Sequence, residues 1–373
     1  MLVAKVPGVA GMVQTQLEEG VSCDCLRELV ECKQQLVDAG AQKLPSWDEA
    51  FGGARAPSDE CDFDAGEWRR GWQYHTSSAL ETCFLERVVR PASDAARCAL
   101  LRSQAGPSAA RWLTAVPCKR EFSLSPIRMQ VALRRRLRWP LPGAPSKCNG
   151  LHCRGCMDRL GDHWASCNRS GKLLRRSRPI ERTWARVFRE AKARVKENVL
   201  LRDTLLPGIA AHDGRKLEII ATGLPLFNGV PLGVDASIVS PLHADGTVWL
   251  GADMKNGVAI SRAEADKAAT YPELIDSDEL RLVTVACETG GRWSQTCVDL
   301  LRQLAKSRAR DAPERLQLSA RVGWETRWWT MLSVCVQDAL AATLVEDAAE
   351  VLDGVDGAMP ELGEVLVDCG GCV

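Results

Sequence analysis

Cys148, Cys153, Cys156, His163 and Cys167 fall within one stretch of twenty residues. A stretch that short owns no hydrophobic core, so whatever folds it must replace a core with bonds to an ion. Cys153-x2-Cys156-x6-His163-x3-Cys167 has the four-ligand composition of a structural zinc site: two close cysteines, then a distant histidine and cysteine to complete the tetrahedron. Cys148 with Cys153 is an alternative first pair, so the spacing leaves open which of Cys148 and Cys156 is the fourth ligand. Four amino-acid ligands leave no open position, which argues for structure over catalysis. Asp158 or Asp162 is expected to orient His163 from behind the ligand shell. The sixteen cysteines otherwise scatter from Cys23 to Cys372, unlike a dense secreted disulfide framework, and are read as reduced thiols of an intracellular protein.

Organisation along the chain follows from punctuation and periodicity. Residues 1–66 read as a loosely patterned segment, best as helix over Met12–Ala39, ending in a Pro/Gly-rich loop. Residues 67–143 read as a helical, linker-like region that includes a helix over Ser123–Leu137 stopped by Pro140-Leu141-Pro142-Gly143. The cysteine–histidine segment occupies 144–168. Residues 169–345 then mix helices and strands. Pro179 suits the first turn of a helix reaching about Lys196, with Ile180, Trp184, Val187, Phe188 and Ala191 on one face. Short β-like runs follow over Lys216–Ala221 and Leu232–Val239. Ser261 with Glu264 makes a capping-box pattern for a helix to Tyr271. Leu280–Ala286 is a buried-strand candidate, Cys297–Arg310 is helical, and Trp324–Leu352 is a long apolar helix or pair. Residues 346–373 are expected to be an acidic, disordered tail, and Cys369-Gly-Gly-Cys372 within it has CxxC spacing without a βα context. The fold class expected is mixed α+β or α/β: helices first, then an α/β segment.

Charge is balanced overall, with 48 basic and 48 acidic residues, which excludes a polycationic histone-like protein and an acidic disordered one. The balance is uneven along the chain. Arg169–Arg202 carries twelve Lys/Arg against Glu181, Glu190 and Glu197, while Thr330–Val373 has no Lys or Arg. Arg175, Arg176, Arg178, Arg182, Arg186 and Arg189 are therefore candidates for contact with a polyanion; the competing reading is a solvated arginine-rich helix. Arg134-Arg135-Arg136-Leu137-Arg138 lies just upstream. No run of eighteen apolar residues suggests a membrane span, and Met1–Gly20 lacks the apolar stretch of a secretory signal, so a location inside the cell is expected.

Acids recur on successive expected elements: Glu190 on the basic helix, Glu218 on the first strand, Asp235 on the second. Lys267 and Tyr271 lie one helical turn apart on the next helix. A carboxylate inside an apolar strand is costly unless paired or metal-bound. Two of them on neighbouring strands can hold Mg²⁺, and a lysine beside them can stabilise charge on a phosphate. By spacing alone, solvated acids at strand ends are the commoner arrangement.

The ordered combination is more specific. An Arg-rich stretch with Pro140-Leu141-Pro142 precedes Asp158-x2-Gly161-Asp162-His163-x3-Cys167. Then come Arg189-Glu190-Ala191, Gly214-Arg215-Lys216-Leu217-Glu218, Val234-Asp235-Ala236-Ser237, Lys267-x3-Tyr271 and Glu288-Thr289-Gly290-Gly291-Arg292-Trp293. In this order the chain resembles, over roughly residues 65–345, the C-terminal part of non-LTR retrotransposon polyproteins, in which a zinc knuckle precedes a restriction-like endonuclease. The resemblance implies a PD-(D/E)xK fold: a mixed sheet flanked by helices. It implies Glu218 and Asp235 as Mg²⁺ ligands, Lys267 as the catalytic lysine moved onto the helix, Tyr271 in support, and Glu190 as a further acid. It implies nicking of target DNA and, in such elements, priming of reverse transcription, with nuclear or cytoplasmic residence. The chain departs from the family at Leu217-Glu218, where Pro-Asp is usual, and at Ser237, where restriction enzymes keep lysine. No Tyr-x-Asp-Asp polymerase motif occurs. DNA is thus the expected partner, RNA a further candidate, and a reverse transcriptase in trans a third.

Two other classes compete. One is a catalytically inactive, zinc-containing nucleic-acid-binding module. The other is a protein-interaction scaffold using Trp324, Trp328, Trp329 and the apolar C-terminal helix, although tryptophans at helical spacing are more often core.

Overall fold

In the computed structural model the described residues are 24–38, 94–141, 147–148, 150, 153, 155, 157–169, 172–204, 206–275, 277–345 and 359–368. The chain divides into two compact units, Met1–Ser93 and Asp94–Val373. In the first, the described element is helix α1 (Asp24–Asp38), inside the stretch expected to be helical. Cys156, the expected helical stretch 67–93 and Cys369–Cys372 lie outside the described residues.

The second unit runs α2 (Ala95–Ser103), α3 (Pro126–Leu137), α4 (Asp162–Ser166), α5 (Lys172–Glu190), β1 (Arg194–Leu200), β2 (Lys216–Thr222), β3 (Leu232–Val239), α6 (Val258–Thr270), β4 (Arg281–Glu288), α7 (Gln295–Ala309), α8 (Gln317–Val345) and α9 (Leu362–Asp368). The sheet order is β1-β2-β3-β4. The first two pairings are antiparallel and β3–β4 is parallel, so α6 lies in a crossover connection. The fold is therefore mixed α+β with a four-stranded mixed sheet. The expected linker, cysteine–histidine and α/β segments from Asp94 onward belong to one compact unit.

Alternation along the strands sorts the two faces of the sheet. Leu232, Val234 and Ala236 of β3 join Val283, Val285 and Cys287 of β4 in the main core, with Trp184, Val187 and Phe188 of α5 and Trp324 and Trp328 of α8. Asp235, between Val234 and Ala236, must point the opposite way. Trp324, Trp328 and Trp329 are all buried, so they form core and not the partner surface that a scaffold would need. Among the described residues no helix is long and apolar enough to cross a membrane.

Several local expectations are corrected. The basic helix starts at Lys172 and ends at Glu190, with Pro179 inside it. Its expected end is instead strand β1, where the exposure pattern shows no apolar alternation for a reader to find. Its lysine, arginine and glutamate suit a solvent-facing edge. The capping box at Ser261 does not form: α6 begins three residues earlier, after Gly257 at φ 73°, and the Ser261 N–H already donates to the Gly257 carbonyl. The acidic tail holds a helix, α9, whose Val365 is fully buried in the main core.

One buried ion pair joins α5 to α8. Arg327 Nη2 and Nε each lie 2.9 Å from a Glu190 oxygen, the Trp328 indole N–H donates to Glu190 at 2.8 Å, and Arg186 Nε donates at 3.0 Å. Glu190 is thus a structural anchor with both oxygens engaged. Removing it leaves Arg327 in the core with Glu121, 3.4 Å from Nη2, as its remaining acid, so Glu190→Ala should destabilise the protein by about 3 kcal/mol in urea unfolding. A loss below about 1 kcal/mol, typical of an exposed pair, would show that Arg327 finds water instead.

Candidate functional site

The second unit carries two clusters of chemically capable side chains. In the first, the ligand atoms of Cys148, Cys153, His163 and Cys167 lie within 4.8 Å of one another. Bonds of about 2.0–2.3 Å to a single tetrahedral zinc need that kind of convergence, so this Cys3His set could hold zinc. Of the two cysteines left open by spacing, Cys148 is in the cluster.

Local sequence builds the cluster from both sides. The Asp158 carboxylate accepts the N–H groups of Leu160, Asp162 and His163 at 2.9, 3.0 and 2.7 Å, which starts the short helix α4. α4 carries His163, and the Cys167 N–H closes on the His163 carbonyl at 2.8 Å. A Cβ on Gly155 would sit 2.5 Å from the His163 ring, so only glycine lets that loop approach. His163 Nδ1 lies 2.6 Å from the Ala244 carbonyl, and Nε2 lies 3.3 Å from Cys153 Sγ. Nδ1–H donating to Ala244 fixes the tautomer that leaves Nε2 free for metal. The orienting group is therefore Ala244, and not Asp158 or Asp162 as expected; Asp162 pairs with Arg138 at 2.8 Å. The Gly155 backbone N–H, with the neighbouring thiols and His163, draws the Cys153 thiol down to about 7, the direction that metal binding needs. Burial pushes Cys167 the other way.

The second cluster sits where β2, β3 and α6 meet. The register Ile219↔Val234, carried one step further, sets Glu218 opposite Asp235 on the same face. The Ala236 N–H donates to Glu218 at 2.5 Å. Lys267 Nζ reaches down from α6 to pair with Asp235, whose side chain is almost wholly buried. The Tyr271 hydroxyl donates to the Lys216 carbonyl at 2.7 Å, pinning the end of α6 to β2. Burial, then the charges of Asp235 and Glu181, push the Glu218 carboxyl up to about 9. Burial, and next Asp235, also raise the Tyr271 phenol.

The structure thus brings together four of the five expected residues: Glu218, Asp235, Lys267 and Tyr271. The fifth, Glu190, faces α8. The acid of α5 whose charge Glu218 feels is Glu181. Nine residues separate Glu181 from Glu190, which at 100° per residue sets them on opposite sides of the helix. That rotation, together with the core face at Ile180, Trp184 and Val187, was the available signal.

The expected polyanion face divides. Arg175, Arg178 and Arg182 are exposed. Arg176 is fully buried and donates to the carbonyls of Ala165 and Trp164 at 3.0 and 3.4 Å, clamping α4. Burial lowers its pKa to about 9. Arg186 bridges Glu190 and Glu121, and Arg189 pairs with Glu197. Those three are structural.

Comparison with known protein families returned no matching family, and comparison with curated proteins returned no matching relative. What is established is therefore a mixed α+β protein with a Cys3His cluster able to hold zinc. The purified chain should carry one zinc per molecule by plasma mass spectrometry. Cys148→Ser and Cys167→Ser should lose it and lower the thermal midpoint, whereas Cys156→Ser should keep it. Zinc retained in Cys148→Ser and lost in Cys156→Ser would reverse the ligand assignment.

Proposed function

We propose that this chain is a Mg²⁺-dependent DNA endonuclease with a restriction-endonuclease-like core. The observation that carries the reading is the convergence of Glu218, Asp235 and Lys267 on one face of the sheet, from two antiparallel strands and the following helix. The succession helix α5, strands β1–β3, helix α6 and parallel strand β4 supports it, as does the sequence resemblance to retrotransposon endonucleases.

The donor set fits a hard divalent cation. Glu218 and Asp235 offer oxygens side by side, and burial, then the charge of Asp235, holds Glu218 short of ionisation until positive charge arrives. Glu218 and Asp235 would hold the ion, with Glu181 near enough to add to the negative potential. When bound, Mg²⁺ supplies a more acidic water and charge neutralisation at the scissile phosphodiester. Lys267, set in place by Asp235, donates to a non-bridging phosphate oxygen as charge grows on it. Tyr271 acts through Lys267, by tying the last turn of α6 to β2. Hydrolysis adds water across one P–O bond, leaving a phosphate on one end and a hydroxyl on the other. Arg175, Arg178 and Arg182 would meet neighbouring phosphates, giving an affinity that falls with salt. The Cys3His segment would stiffen the platform beneath them, through the Arg176 clamp on α4.

Purified protein with Mg²⁺ or Mn²⁺ should convert supercoiled plasmid to the nicked form. Asp235→Ala and Lys267→Ala should each lower that rate by at least about 100-fold, while duplex binding persists. Salt-dependent binding without nicking in the wild type would make the chain a zinc-containing binding module instead. Absence of both would favour the scaffold class.

A further inference from the structure

The sheet has two edges, and they are built differently. β1 carries exposed charge along its length, at Arg194, Lys196 and Glu197. β4 is buried from Val283 onward, between α6 on one face of the sheet and α7 on the other. Along it runs an open groove of about 500 Å³. Glu264 of α6 stands on one wall, Thr296 and Asp299 of α7 on the other, and Leu282, Val283 and Thr284 of β4 form the floor.

The backbone of that floor is only half used. The Arg281 N–H donates to the Pro231 carbonyl at 2.9 Å and the Thr289 N–H to the Val239 carbonyl at 2.8 Å, so the odd-numbered residues of β4 turn their backbone groups to β3. The even-numbered residues turn theirs to the outer edge. At the far end these are engaged: the Ser294 N–H donates to the Ala286 carbonyl at 3.0 Å, and the Glu288 N–H to the Arg292 carbonyl at 2.8 Å. Trp293 and Ser294 thus open an antiparallel fifth-strand position, which the chain leaves at Gln295 to begin α7. Leu282 and Thr284 lie where that strand would continue. Their N–H and C=O groups have no hydrogen-bond partner among the described residues, although Thr284 is buried. Buried backbone groups are nearly always paired. Two donors and two acceptors repeating at strand spacing are matched by another extended backbone.

We propose that the free edge of β4 receives an extended, basic peptide segment of another protein, added as an antiparallel fifth strand. Leu282 to Ala286 spans about 13 Å, the length of about five strand residues. Both walls carry an acid. Glu264 accepts the Thr296 hydroxyl at 3.4 Å, which closes one end of the groove. Asp299 accepts from Gln295 at 2.8 Å and lies 3.9 Å from Arg302, an exposed pair of little strength. Among the described lining residues the one cation is Arg281, at the first residue of β4, with its guanidinium over the Phe227 ring. Lysine or arginine side chains on both faces of the added strand would meet Glu264 on one side and Asp299 on the other. The β1 edge of a second copy does not fit, because α5 packs on one face of β1 and would meet the groove wall. The proposal is independent of catalysis at Glu218 and Asp235.

The test uses the full chain and fluorescein-labelled heptapeptides read by fluorescence polarisation. The first is built of lysine, valine and threonine. The second has glutamate in place of lysine. The third repeats the first with N-methyl groups on two adjacent central residues, so that neither of its edges can pair. The lysine peptide should bind, and the other two should bind about tenfold more weakly or worse. Thr284→Pro removes an N–H that the sheet itself does not use, and should weaken the lysine peptide by about tenfold or more. The double variant Glu264→Lys, Asp299→Lys should do the same from the groove walls, and it keeps the test valid if proline disturbs folding. Hydrogen exchange supplies the pattern particular to strand addition: the Leu282 and Thr284 amides should slow when the lysine peptide binds, while Val283 and Val285, already paired to β3, stay as they were. The proposal is overturned if the lysine peptide gives no polarisation change at concentrations up to about 1 mM. It is overturned equally if the glutamate or the N-methylated peptide binds as tightly as the lysine peptide, or if exchange at Leu282 and Thr284 is unaffected by bound peptide.

Discussion

Glu190 is the interaction on which the second unit hangs. A carboxylate in the core is tolerable only when its charge and lone pairs are fully met, and here Arg327, Trp328 and Arg186 meet them together. Three partners from two helices can do so in one register only, so α5 and α8 are fixed in both translation and rotation. The rotation of α5 has two consequences. It turns Trp184, Val187 and Phe188 into the main core, and it turns Glu181 away from α8 towards the side where Glu218 feels it. The position of α8 matters as much. Its Asp338 pairs with Arg128 of α3 at 2.8 Å, its Ser333 hydroxyl accepts the Trp112 N–H at 3.1 Å, and Leu340, Ala341 and Leu344 support Trp164 and Cys167. The arginine run of α3 and the metal cluster are both referred to this one helix.

The cysteine–histidine segment is not an independent module beside the sheet. His163 leans on the Ala244 carbonyl. Ala244 lies in the connection between β3, which carries Asp235, and α6, which carries Lys267. Metal at the Cys3His cluster would therefore hold one end of the loop that brings those two residues together. Arg176 makes the reciprocal tie, from α5 back to α4. Loss of such an ion would thus be felt along two routes into the sheet.

Legibility in the sequence followed the strength of the physical pattern. Leu232–Val239 was readable to the residue, because a buried strand bounded by Gly229 and Pro241 has few alternatives. The pairing of Asp235 with Lys267 needed the order of several motifs, since each acid alone looks like an ordinary strand-end residue. β1 was missed because an exposed charged strand has no apolar period, and the helical pattern before it runs smoothly into Arg194 and Lys196. The start of α6 was missed because a serine followed by a glutamate three residues on fits a capping box in sequence, while a glycine in the left-handed region starts the helix earlier. Glu190 was assigned by motif and Glu181 overlooked, although helix rotation separates them cleanly. The arginines show the same limit: composition counts charges, and only packing reveals which are occupied.

That occupancy gives the surface its meaning. Of the six arginines expected on α5, three are engaged in structural hydrogen bonds or ion pairs, so the basic excess of the segment overstates the charge available outside. The exposed three are better placed: Arg175, Arg178 and Arg182 are spaced at three and four residues, hence along one side of the helix. Arg136 belongs in the same account. Among the described residues it has no acid partner, while its neighbours Arg135 and Arg138 share Asp162. Engaging some arginines internally and exposing others along one side of a helix concentrates positive charge at particular points. Under the proposed function, placement of that kind would let a chain of zero net charge hold a polyanion in one orientation relative to the face where Asp235 and Lys267 meet.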